Sequence, residues 1–260
     1  MRRQDAFFME PVFQIEGVTR RFGAVEALRG VDLSVEAGER VALIGPSGGG
    51  KTTLLKVLGA QLAPAEGSLR VLGRDPLSLD ERALRELRSA LAFIPQDLGL
   101  VLNTRVIQNV VGGRFGKRSL FGALRDLLLP ALEERKRIFG LLERVGIGEK
   151  MYDRVDSLSG GQQQRVAVAR ALFQSPQVLL ADEPISAVDP ARARQLLELL
   201  VGLCEEEKLT LVVSMHQLEL AQEFFPRMVG LKAGRVLFDR EAASMDEEEV
   251  KELYQLESIG

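Results

Sequence analysis

Apolar positions follow two rhythms along this chain. Residues 12–18 alternate imperfectly and predict an edge strand, while 31–35 alternate cleanly and predict a half-buried one. Residues 68–72 and 91–94 read as further strands, and 40–44, 178–181 and 209–214 form short apolar runs bounded by turn residues or helical patterns. Such runs suit strands covered on both faces of a mostly parallel sheet. Helical spacing takes over at 52–58, at 80–90, at 124–142 with Pro130 as a break or a new helix start, and at 191–203. The last of these follows Asp189-Pro190, an N-cap with proline in the first turn. Lys232-Ala233-Gly234 separates two short strands and predicts a hairpin, and residues 246–256 predict a helix in the acidic stretch after Arg240.

Strands alternating with helices indicate an α/β sheet. The texture divides the chain into an α/β core with a β-rich lobe (12–95 and 159–240), a helical insert (96–158) and an acidic helical tail (241–260). Composition narrows the function. The 260 residues carry a formal net charge of -3 and no tryptophan, so neither a basic footprint nor stacking platforms point to nucleic acid. Cys204 stands alone, which excludes an intrachain disulfide and a CxxC metal pair and fits a reducing compartment. No run approaches the roughly 18 apolar residues of a spanning helix, and residues 1–8 lack the apolar core of a signal peptide. The expectation is a soluble cytoplasmic chain that reaches any membrane by docking.

Three segments carry chemistry. Gly45-Pro46-Ser47-Gly48-Gly49-Gly50-Lys51-Thr52 fits G-x-x-x-x-G-K-[ST] between a buried strand and a helix. Its glycines let backbone N–H groups converge on phosphate oxygens, and the following helix offers its positive end. Lys51 supplies a charge to the β- and γ-phosphates, and Thr52 a hydroxyl to Mg²⁺. The strand 178–181 ends in Asp182-Glu183. Asp182 suits Mg²⁺ and Glu183 suits a general base for water, although a strand ending in acids is common by itself. Leu158-Ser159-Gly160-Gly161-Gln162 precedes a helical run. Ser159 either simply caps that helix or caps it while the exposed N–H groups bind an anion.

In this order the three segments resemble the motifs of ABC ATPases, and the likeness extends over residues 13–239. The resemblance implies a P-loop NTPase core of the ABC type, α/β with a β-rich lobe and an inserted helical subdomain. It further implies that Gln96 senses Mg²⁺ and the attacking water. His216 is implied as a switch residue at the γ-phosphate, and Phe22 as the aromatic that stacks on adenine. Thr53 joins the ATP-binding loop. The loop at Ser186-Ala187-Val188-Asp189 crosses to a second subunit. Two copies then pair head to tail, each ATP lying between one copy's phosphate loop and the other's Ser159, Gly160, Gly161 and Gln162. Expected partners are permease subunits in the membrane and, indirectly, a solute-binding protein, with the chain peripheral at the cytoplasmic membrane face.

Finer features resemble the ATP-binding subunits of phosphonate importers. They include Val106-Ile107-Gln108-Asn109-Val110, Gly112-Gly113-Arg114-Phe115-Gly116, residues 120–129, and His216 followed by Gln217. Pro95 before the loop glutamine and Gly49-Gly50-Lys51-Thr52 depart from that group's pattern. Import of another small polar solute, such as an amino acid, therefore stays open. A soluble, non-transport ABC ATPase also stays open, although such chains usually carry two modules or a long coiled coil.

Overall fold

The computed structural model describes residues 11–117, 125, 130–186 and 189–255. Among the described residues, nine strands form two sheets: β1 (Phe13–Phe22), β2 (Val25–Val35), β3 (Arg40–Ile44), β4 (Glu66–Val71), β5 (Leu91–Ile94), β6 (Val178–Asp182), β7 (Thr210–Met215), β8 (Arg227–Lys232) and β9 (Arg235–Glu241). The larger sheet has the order β5-β6-β7-β3-β8-β9 and is parallel except for the β8–β9 hairpin. The smaller is antiparallel, β2-β1-β4.

The unbroken apolar runs are explained by what covers the large sheet. Ala42, Ile44, Leu179, Ala181, Leu211 and Val213 face one cluster of buried residues. Their neighbours Val41, Leu43, Val178, Leu180 and Val212 face another. Side chains alternate across a strand, so a strand apolar at every position must be covered twice. On one side lie the small sheet and α1 (Lys51–Leu58), with α2 (Glu81–Ser89) contributing Leu87. On the other lie α3 (Val106–Gly112), α4 (Leu132–Arg144), α5 (Gly160–Phe173) and α6 (Pro190–Glu206), with α7 (Leu218–Phe224) and α8 (Glu247–Tyr254) below them. Within this layer α5 lies against both α3 and α4.

One expectation is corrected. The segment read as an edge strand is β1, the central strand of the small sheet, hydrogen-bonded to β2 and β4. Its alternation is imperfect because the pairing shifts register between Ile15 and Val18 and again between Arg20 and Arg21, and each shift moves side chains to the other face. Of the helix read at 124–142, the part after Pro130 is α4, and most of 118–129 lies outside the described residues. The hairpin turn places Ala233 and Gly234 at φ +48° and +79°, the two positive values of a type I′ turn.

Candidate functional site

The phosphate loop leaves β3 at Gly45 and enters α1 at Lys51. Its route is set by close backbone packing. Gly45 has φ +146°, and a Cβ there would stand 2.0 Å from the Leu231 carbonyl oxygen of β8. Gly50 has φ +106°, and a Cβ there would stand 2.7 Å from the Ala27 carbonyl oxygen of β2. Neither position accepts a side chain. The Gly234 N–H donates to the Gly49 carbonyl at 3.0 Å, so the β8–β9 hairpin also braces the loop. Lys51 is 4% exposed, and its ammonium donates to the carbonyls of Gly45 (2.8 Å) and Pro46 (3.0 Å). Burial lowers its pKa, while Glu183 and Asp182 act in the opposite direction.

The acidic pair at the end of β6 is tied to this loop. Asp182, 3% exposed, accepts from the Thr52 hydroxyl at 3.1 Å and from the Ser214 hydroxyl at 2.6 Å. The Glu183 N–H donates to Ser214 Oγ at 2.9 Å. Glu183 has φ +47°, a left-handed conformation that a glutamate adopts at a cost and that concentrates at functional sites. Its carboxylate is held at both oxygens: Gln96 Nε2 donates to Oε2 at 3.2 Å, and His216 Nε2 meets Oε1. Thus Lys51, Thr52, Asp182, Glu183, Gln96 and His216 converge from four separate segments. Thr52, Asp182 and Gln96 present oxygen atoms of the kind Mg²⁺ selects.

Other expected residues lie elsewhere. Ser159 caps α5: the Gln162 N–H donates to its hydroxyl at 3.4 Å, and the Ser159 N–H donates to Gln162 Oε1 at 2.9 Å. This capping box lines a cleft with Gly161, Arg165 and Arg192, and no phosphate-loop residue lines it. Asp189 caps α6, accepting from the Arg192 N–H at 3.1 Å. Ala187 and Val188 of the crossing loop lie outside the described residues. Phe22 is 47% exposed at the end of β1, with the Arg20 guanidinium 4.8 Å from its ring centre. It is therefore a surface aromatic and no part of the core.

Two residues of the site were not singled out from sequence. Ser214 bridges Asp182 and the Glu183 backbone; a serine inside the apolar run of β7 was its signal. Gln164 is buried and donates to the Pro184 carbonyl at 2.9 Å, joining α5 to the turn that carries Glu183. The three consecutive glutamines gave no means of choosing it.

Comparison with known proteins agrees with this geometry. The family profile described as "ABC transporter" matches residues 28–186. A Pseudomonas syringae pv. tomato protein named "Phosphonates import ATP-binding protein PhnC 1" is 46% identical over 90% of this chain and 87% of its own length. An Anaeromyxobacter dehalogenans protein named "Phosphonates import ATP-binding protein PhnC" is 45% identical over 94% of this chain, which spans about half of that longer relative (48%). Among solved structures, the dimeric post-hydrolysis state of the ATP-binding cassette MJ0796, bound to ADP and Pi, superposes with TM-score 0.77. It is 31% identical, covering 90% of this chain and all of that one. The cbiO1 subunit from Clostridium perfringens superposes with TM-score 0.78 at 26% identity over 94% of each chain. The matched fold, the matched profile and the converging phosphate loop and acidic pair make this chain a member of the ABC transporter family, with the P-loop ABC ATPase fold.

Proposed function

We propose that this chain binds and hydrolyses ATP to power an ABC importer whose cargo is a phosphonate or a related phosphorus oxyanion. The observation that carries the ATPase reading is the Glu183 carboxylate, held between Gln96 and His216 beside Asp182 and Thr52. A carboxylate anchored at both oxygens can orient and deprotonate a water without rotating away, a contribution of about 10²–10⁴ in rate for a general base. Backbone N–H groups of Gly48 to Thr53 cradle the phosphates, with Lys51 adding charge as it leaves the Gly45 and Pro46 carbonyls. Thr52, Asp182 and Gln96 would hold Mg²⁺, which offsets phosphate charge. His216 polarises the γ-phosphate side, and the exposed ring of Phe22 stacks on adenine.

The MJ0796 cassette is dimeric. By likeness to it, two copies of this chain sandwich each ATP between one phosphate loop and the other copy's Ser159 to Gln162, with Asp189 at the crossing. The separation of the Ser159 cleft from the phosphate loop within one chain supports action in trans. Residues 96–158 act as the helical subdomain of this cycle. A groove of about 610 Å³ between α2, α3 and α5, lined by Arg85, Arg88, Val101, Phe115 and Arg170, suits a permease helix. No helix among the described residues is long and apolar enough to cross a membrane. By likeness to the relatives named as import ATP-binding proteins, the chain works as a peripheral subunit at the cytoplasmic face.

The cargo reading rests on relatives 44–46% identical that are named for phosphonate import. Its test is uptake of labelled methylphosphonate in host cells that are intact, lack this gene, or carry Glu183→Gln. Uptake lost in both altered strains is the expected result. Unchanged uptake in all three, with ATP hydrolysis intact in the purified subunit, would transfer the assignment to another small polar solute such as an amino acid.

A further inference from the structure

Glu183 adopts a backbone conformation that its own sequence opposes. Its φ is +47°, and Pro184 follows it. A residue other than glycine is strained at positive φ, and a residue before proline prefers extended backbone. Such strain persists only where the surroundings over-determine it. Some of the restraints are local. The Glu183 N–H is shared between the Ser214 carbonyl at 3.2 Å and the Ser214 hydroxyl at 2.9 Å. The Glu183 carbonyl accepts from the N–H of Ser186 at 3.2 Å and from its hydroxyl at 3.0 Å.

A further restraint comes from another layer of the fold. Gln164 Nε2, on α5, donates to the Pro184 carbonyl at 2.9 Å. Gln164 is only 6% exposed, unusual for a polar, flexible side chain. Without that donor the buried carbonyl would be left unpaired, and its peptide would turn toward another partner. That peptide lies one residue from Glu183. The helix is itself fixed to the loop of Gln96. Arg170, also on α5, donates to the carbonyls of Leu98 at 2.5 Å and Gly99 at 2.6 Å. One helix therefore grips the two segments whose side chains meet where Gln96 donates to the Glu183 carboxylate.

We propose that Gln164 is a positioning residue for Glu183, holding the turn after β6 so that the carboxylate stays aimed at the attacking water. The inference rests on the reading of Glu183 as general base and adds a residue that does not touch the reacting atoms. A group held from a helix is placed more precisely than one held from a loop. Precision matters here because a misplacement of about 1 Å can cost about a hundredfold in rate.

Gln164→Met keeps the length of the side chain and removes the donor. In the purified full chain, kcat for ATP hydrolysis should fall about ten- to a hundredfold, with KM within about twofold. That split marks a loss confined to the transition state. The upward shift in melting temperature produced by ATP should stay full. The Glu183→Gln background gives the readout that packing alone would not move. There the base is already gone, so adding Gln164→Met should leave the residual turnover within about twofold. A role in packing alone would lower it by the same factor as in the parent. Gln164→Asn stays polar, but its amide falls one methylene short of the carbonyl. It should lower kcat in the same way, and it decides the matter if Gln164→Met fails to fold. An unchanged kcat in the variant that folds would overturn the proposal, whatever happens to its melting temperature. So would an equal proportional loss in both backgrounds. Full turnover in Glu183→Gln alone would remove the underlying reading first, and this proposal with it.

Discussion

Cys204 shows how burial decides the chemistry of a single residue. It lies on the inner face of α6, 1% exposed, and burial pushes its thiol up to about 12. The thiolate is the reactive form, and a free cysteine ionises near 8.5. The folded chain should therefore resist iodoacetamide at pH 8 and label fully only in denaturant; labelling followed by intact mass reads this directly. The same shift has a signed consequence for stability. An acid whose folded pKa is raised leaves stability untouched below the unfolded value and loses it as pH climbs from about 9 toward 12. The slope from this group is about 1.4 kcal/mol per pH unit. Rapid labelling at pH 8 without denaturant would contradict the closed packing of α6 on the sheet. Glu183 is the opposite case. Its left-handed φ and its two carboxylate partners hold it in one orientation at the surface of the site, a cost borne where chemistry requires it.

At the scale of elements, the apolar rhythm marked most of the strands closely and their positions less so. Residues 40–44 and 91–94 coincide with β3 and β5, because runs covered on both faces admit no other period. The hairpin at Ala233-Gly234 and the cap at Asp189 were legible because turn and cap chemistry is local. β1 was misplaced as an edge because its bulges blur the alternation and its second partner, β4, lies far along the chain. The motif segments were legible as segments. The ties of Gln164 to Pro184 and of Ser214 to Asp182 were not, since each joins positions whose approach only the folded sheet creates. The phosphate loop makes the point quantitatively. Gly45→Ala would press a Cβ onto the Leu231 carbonyl, backbone against backbone, with no side chain free to yield. The expected cost is more than about 3 kcal/mol, in the range reserved for strain at special backbone positions, together with loss of ATP binding. Gly160→Ala meets nothing within 4 Å and should cost far less. Thermal unfolding of the two variants side by side checks the contrast, and equal losses would refute the close packing of the loop on β8.

For the whole molecule, the decisive question is whether one chain completes an ATP site. Gln96, Glu183 and His216 gather beside the phosphate loop, whereas Ser159 and its capping box open on a separate cleft above α6. A site built from both needs two copies, related so that each copy's cleft faces the other's loop, an isologous arrangement. Glu183→Gln should leave ATP binding intact and reduce turnover at least a hundredfold. The chain should then persist as an ATP-bound dimer on size-exclusion chromatography, because closure precedes the step that reopens it. Ser159→Arg tests the other half. Losing the cap costs about 1 kcal/mol, too little to unfold the chain, so lost activity would report on the cleft itself. Hydrolysis should vanish while ATP still binds the monomer, and the Glu183→Gln dimer should fail to form when both changes share a chain. Mixing the two single variants adds a sharper result. In that heterodimer one ATP site carries both changes, and the other has an intact Glu183 facing an intact Ser159. Recovery of part of the activity on mixing would mean that the cleft serves its partner. Loss of ATP binding in the Ser159→Arg monomer would mean instead that it serves its own chain, and the sandwich would fall.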